Sequence, residues 1–213
     1  MKKLAFIAGL AALVFVWGGA LAYLMPHSFA RHMIMHMGVV AVAAPLIAVA
    51  IAGSRFDPSP LLPVVFAPLP ASLWELAVVW GWHAPALHDF ARAGALGVTL
   101  EQGSFLAAGL VLWLSCIGVR GGSGAAGLFG LLFTSMHMTL LGALLALAPR
   151  PLYESALHQG HALGISALQD QNLGGVVMLG VGGAVYLVGG LILMARLLNA
   201  PPPPLARRSS ERT

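Results

Sequence analysis

The chain has 213 residues, 59% of them hydrophobic and only 8% charged, with a mean hydropathy of +0.87. Repeated apolar stretches of about 20 residues exclude a soluble core and make it an integral membrane protein. The net charge of +4 and pI of about 9.8 come from Lys and Arg flanking those stretches, so they describe a membrane boundary and no nucleic-acid surface.

Lipid cannot satisfy backbone amides, and the apolar runs are too long and uniform for barrel strands. The expected fold class is therefore all-α, a polytopic transmembrane helical bundle of about six spans. They run from Leu4 to Met25, His32 to Ala52, Leu61 to Trp82, Thr99 to Val119, Ala125 to Ala148 and Leu173 to Leu198. One transmembrane domain over residues 1–200 takes up the chain, followed by a disordered Pro/Arg-rich tail over 201–213.

The first span opens with Met1-Lys2-Lys3 and contains Ala20-Leu21-Ala22, features shared with cleavable signal peptides. Its apolar run is long for a signal core, so it is expected to be retained. With both termini cytoplasmic, Lys2, Lys3, Arg55, Arg120, Arg196, Arg207, Arg208 and Arg212 fall inside, and Arg31, Arg92 and Arg150 outside. That asymmetry obeys the positive-inside rule.

The second span opens with Arg31-His32-Met33-Ile34-Met35-His36-Met37. His32 and His36 are one helical turn apart and share a face, with His36 about 7 to 8 Å deeper than Arg31. Met33 and Met37 lie beside them. In the third span Pro63, Pro68 and Pro70 interrupt the first half, so a regular helix is expected only from about Ala71. Glu75 lies in its middle or inner part, and an intramembrane carboxylate is a functional candidate by default. Trp82-His83-Ala84-Pro85 closes the span, with His88 and Asp89 in the loop beyond.

Glu101-Gln102 opens the fourth span, and Cys116 within it is the single cysteine, so no disulfide can form within one chain. The fifth span carries His137 between Met136 and Met138. The last outer loop holds His158 and His161, most simply solvated, and Asp170 near the start of the sixth span either caps a helix or supports a ligand. Paired glycines such as Gly174-Gly175 give that span small packing surfaces. Nothing supports hydrolysis, since no nucleophile elbow or Ser/His/Asp order stands out.

Most of the eight histidines fall on the expected outer half of the bundle. Imidazole and thioether both suit copper, and a neutral imidazole costs less in a dry bundle than a thiolate or carboxylate. The candidate metal ligands are His32, His36, His83, His137, Met33 and Met37, with Glu101 and Asp170 orienting them from behind. The plainer alternatives stand beside this: an isolated buried histidine commonly bonds a neighbouring helix, and methionine is an ordinary gap filler.

Several motifs occur in order: Phe29-x-x-His32-Met33-x-x-His36, Ala43-Ala44-Pro45-Leu46, Trp82-His83-x-Pro85-Ala86-Leu87, Glu101 with Phe105 and Trp113, His137-x-Thr139-x-Leu141-Gly142-Ala143, and Leu168-x-Asp170-Gln171-x-Leu173-Gly174-Gly175. Together they resemble the CtaG family of cytochrome c oxidase assembly proteins, the multi-span kind associated with caa-type oxidases. The resemblance implies a non-enzymatic factor in the cytoplasmic membrane that supplies or positions copper for an oxidase subunit. It carries over to His32, His36, His83, Glu101, His137 and Asp170. One departure is Gln102, where family members often have histidine; glutamine is a poor copper ligand. Two other readings use the same residues: a copper or proton permease through His36, His137 and Glu75, and a haem- or quinone-binding oxidoreductase with axial histidines.

Overall fold

A computed structural model describes residues 1–117, 124–153 and 164–199. His158, His161, Arg120 and the tail after Asn199 lie outside the described residues. Among the described residues the secondary structure is helical throughout, without strands.

The first apolar run forms α1 (Lys2–Trp17) and α2 (Ala20–Leu24), broken at Gly18-Gly19. Gly19 takes the left-handed conformation at φ 86°, which a side chain would resist. The second run is continuous but irregular: α3 (Phe29–Met37), a π-helical segment (Gly38–Ala43) and α4 (Ala44–Ile51). The third run becomes regular at Pro68, where proline suits a first helical turn, giving α5 (Pro68–His83). Residues 61–67 before it are turns with exposed Leu61, Leu62, Val64 and Val65.

The expected loop after His83 is instead a short helix, α6 (Pro85–Arg92), with His88 and Ala91 on its buried side. Pro85 at its start and its amphipathic spacing explain why it forms. Then come α7 (Ala95–Ile117), α8 (Gly124–Ala146) and α9 (Ala167–Leu198). The last has 32 residues and opens with a capping box between Ser166 and Gln169.

Five stretches are long and apolar enough to cross a membrane: Lys2–Leu24, Phe29–Ile51, α7, α8 and α9. The sixth expected span, over Leu61–Trp82, is not among them: its helix, α5, has only 16 residues. Helix neighbours form a closed ring: α4 against α7, α7 against α5, α5 against α8, α8 against α9, and α9 back to α3. From outside the ring, α1 packs on α4 and the π-helical segment, with Gly9 lodged against Ile47 and the Ala43 carbonyl. At one end, α6 lies across α7 and closes the space between α3, α5 and α7.

Candidate metal centre

Four imidazoles converge in that closed space. His32 and His36 come from α3, His83 from the last turn of α5, and His88 from α6. The ring centroid of His32 is 6.3 Å from His36, 5.3 Å from His83 and 5.0 Å from His88, and His36 is 5.2 Å from His83. All four are buried. Phe105 of α7 packs beside them, 4.1 Å from the His36 ring, and supplies an apolar wall.

Their nitrogens are largely without partners. Among the described residues, buried His32 Nε2, both nitrogens of His36, His83 Nε2, His88 Nδ1 and Glu101 Oε1 have no hydrogen bond. His83 Nδ1 lies 2.6 Å from the Val79 carbonyl oxygen. A carbonyl only accepts, so Nδ1 carries the proton and Nε2 keeps a free lone pair. Desolvation, with His32 and Arg92 nearby, pushes His88 down to about 2, leaving its ring neutral.

Glu101 of α7 is the acidic member. Its Oε2 accepts from Arg92 of α6 and from Gln102 Nε2 at 3.2 Å, and it lies 3.5 Å from His32 Nδ1. Arg92 also approaches His32 Nδ1 at 3.4 Å and is 18% exposed, so it roofs the cluster. One ligand atom from each of His32, His88 and Glu101 lies within 4.8 Å of the other two. Metal–nitrogen bonds near 2.0–2.1 Å place neighbouring ligands about 3–4 Å apart, so a small rearrangement would close this set on an ion. Unpartnered neutral imidazoles beside a carboxylate are a donor set that fits copper, zinc or iron.

The remaining sequence candidates sit elsewhere. Met33 and Met37 are buried against α9: a Cβ built on Gly174 would lie 3.0 Å from Met33 Cγ, and one on Gly182 would lie 3.6 Å from Met37 Sδ. His137 of α8 is buried with both nitrogens unpartnered, and its ring contact among the described residues is Phe133 at 5.7 Å. Asp170 of α9 caps α3. Its carboxylate accepts from Ser28 Oγ at 2.7 Å and from the amides of Phe29 at 2.6 Å and Ala30 at 3.1 Å. It thereby holds the start of the helix that carries His32 and His36.

Gln102, at the position where the resemblance led to an expected histidine, is committed elsewhere: it donates to Glu101 and accepts from Trp17 Nε1 at 3.2 Å. Three neighbours were not picked out as site residues from the sequence: His88, Arg92 and Tyr153. The Tyr153 hydroxyl donates to the His83 carbonyl at 3.1 Å, and its ring lies 4.2 Å from His88 and 4.8 Å from Phe29. The signal available for two of them was the i, i+4 spacing of His88 and Arg92 after Pro85, which places both on one helical face.

No curated relative and no solved structure matches the chain. The family model described as cytochrome c oxidase caa3 assembly factor, Caa3_CtaG, matches residues 1–200, and with that extent covered the protein belongs to this family.

Proposed function

We propose that this assembly factor binds copper through His32, His36, His83 and His88, with Glu101 as an acidic partner, and delivers it to an oxidase subunit on the extracytoplasmic side. The observation that carries the reading is the set of buried donor atoms on four helices that have no partner among the described residues. Leaving several such atoms unpaired costs about 1–3 kcal/mol each, which an ion would recover. Copper is favoured over other borderline ions because the family serves an oxidase. The outward orientation rests on the Lys and Arg distribution along the chain.

In this reading the ion is cargo. The carboxylate of Glu101 offsets part of its charge, Arg92 must swing aside to admit it, and the apolar wall of Phe105 excludes water. Purified protein reconstituted with copper should hold it stoichiometrically, and His32→Ala/His83→Ala should hold little. Equal copper in both sinks the reading, and zinc retained in preference to copper reassigns the ion. In cells, deletion should lower oxidase activity, and added copper should restore part of it.

A translocation reading has one observation in its favour. Glu75 is fully buried in α5, two turns from His83, with Oε1 accepting from Tyr186 at 2.9 Å and Oε2 unpartnered. Copper or proton flux in proteoliposomes that is lost in Glu75→Gln would favour a permease. Copper binding without flux favours delivery.

A further inference from the structure

At the end of the bundle away from the histidines, a lipid-facing groove runs between α4 and α9. Its cavity measures about 430 Å³. Pro45 and Val49 form one wall, Val188 and Ile192 the other, and the buried Trp113 ring part of the floor. Val49, Val188 and Ile192 are each about half exposed, so this surface faces whatever surrounds the bundle.

Two cations, Lys2 and Arg196, line the same groove, and among the described residues no acidic one does. Lys2 Nζ donates to the Ala52 carbonyl at 2.6 Å, which anchors the ammonium at the end of α4. Arg196 has no hydrogen bond or ion pair among the described residues. An apolar trough within a membrane is filled by acyl chain, and the two cations select what heads that chain. A zwitterionic headgroup brings no net charge to them, whereas an anionic one gains about fivefold in affinity for each nearby basic side chain.

We propose that this groove is a binding site for one anionic phospholipid, its phosphate between Lys2 and Arg196 and one chain lying along Val49 and Ile192. The site is independent of the metal reading. Its occupant bridges the Lys2 end of α1, the Ala52 end of α4 and the Arg196 end of α9 across the groove.

The test is a lipid titration of delipidated full-length protein, read by native mass spectrometry, with phosphatidylglycerol and phosphatidylcholine of matched chains. The expected result is at least tenfold preference for phosphatidylglycerol, lost in Lys2→Ala/Arg196→Ala and kept in Arg207→Gln/Arg208→Gln/Arg212→Gln. Equal binding of the two lipids overturns the site, as does a preference that survives the first variant or disappears in the second. A second measurement uses Trp113, which lines the groove. Because the chain has five tryptophans and Trp17 and Trp74 are exposed, the signal read is the part of the quenching that Trp113→Phe removes. Brominated phosphatidylglycerol should quench that part at a lower mole fraction than brominated phosphatidylcholine, and this difference should vanish in Lys2→Ala/Arg196→Ala. No difference in the parent counts against the proposal.

Discussion

Arg92 stands where an approaching cation would pass, with its guanidinium on Glu101 and against His32. Removing it has two opposite effects. The buried Glu101 carboxylate loses its counter-ion, a change that costs 3–5 kcal/mol in dry surroundings and about 2 kcal/mol here, because Arg92 is partly exposed. The same change removes repulsion at His32 and leaves Glu101 seeking a positive partner. Arg92→Gln should therefore melt at lower temperature without metal and regain most of the loss when copper is added, since a ligand stabilises the state that binds it. A melting temperature indifferent to copper would show that Glu101 and its histidines are not a cation site.

Asp170 offers a second residue-scale test because it acts on α3 from another helix. Asp170→Ala removes the acceptor for two amides and a hydroxyl at the start of α3, and should cost about 1–2 kcal/mol. If this cap also positions His32 and His36, copper affinity should fall with it, although among the described residues Asp170 makes no hydrogen bond or ion pair with an imidazole. Thermal melting and copper titration of the same samples separate the two effects. The sequence allowed either a cap or a ligand support at this position; it could not show that the capped helix was α3, because that depends on α9 lying beside α3. The methionines illustrate the same limit. Adjacent helical residues differ by about 100° around the axis, so the histidine face turns toward α5 and α7 while Met33 and Met37 turn toward α9.

Within the second apolar run, Pro45 explains both the π-helical segment and a distant tryptophan. The Ala44 amide bonds the Val39 carbonyl five residues back, and the next such bond would join residue 45 to Val40. Proline has no amide hydrogen, so that carbonyl would be left unpaired. Trp113 Nε1 of α7 donates to it at 3.0 Å. Trp113→Phe keeps a ring to stack on Tyr186 but removes the donor, and should cost about 1–3 kcal/mol in melting experiments. Proline in the sequence marked an irregularity, but not the wide turn or its partner, which required the α4–α7 contact.

The α8–α9 pair is packed through glycine. A Cβ on Gly175 would lie 2.4 Å from the Ala146 amide nitrogen and 2.7 Å from the Gly142 carbonyl, whereas one on Gly180 meets nothing within 4 Å. Gly175→Ala should therefore lower stability by about 1–3 kcal/mol, and Gly180→Ala should leave it unchanged or raise it by a few tenths. The glycines of the sixth span were legible as packing surfaces, but sequence alone did not separate these two. Equal effects would mean that the helices are not in this register.

At the scale of the whole molecule, composition and apolar length were enough to read a helical membrane bundle, because lipid permits so few backbone solutions. The order of helices around the ring was not legible, and with it went the choice between His83 and His137 as the neighbour of His32. The span that prolines interrupt in the sequence has the shortest helical stretch of the six expected spans, α5. At 1.5 Å per residue α5 spans about 24 Å, less than a hydrocarbon core of about 30 Å. Two features make up the shortfall: the exposed apolar side chains of residues 61–67 continue the greasy surface beyond its first turn, and a bilayer thins locally at modest cost. If α5 crosses, the Ser59 turn shares a side with the Lys2 end of α1, and the Gly94 turn lies opposite with Arg92. Since Cys116 is buried and is the single native thiol, Ser59→Cys and Gly94→Cys can be labelled against a quiet background with a membrane-impermeant maleimide. Gly94→Cys should react from the extracytoplasmic face and Ser59→Cys only after the membrane is opened. Reaction of both from one face would make α5 a re-entrant hairpin and would put the two chain ends on opposite sides.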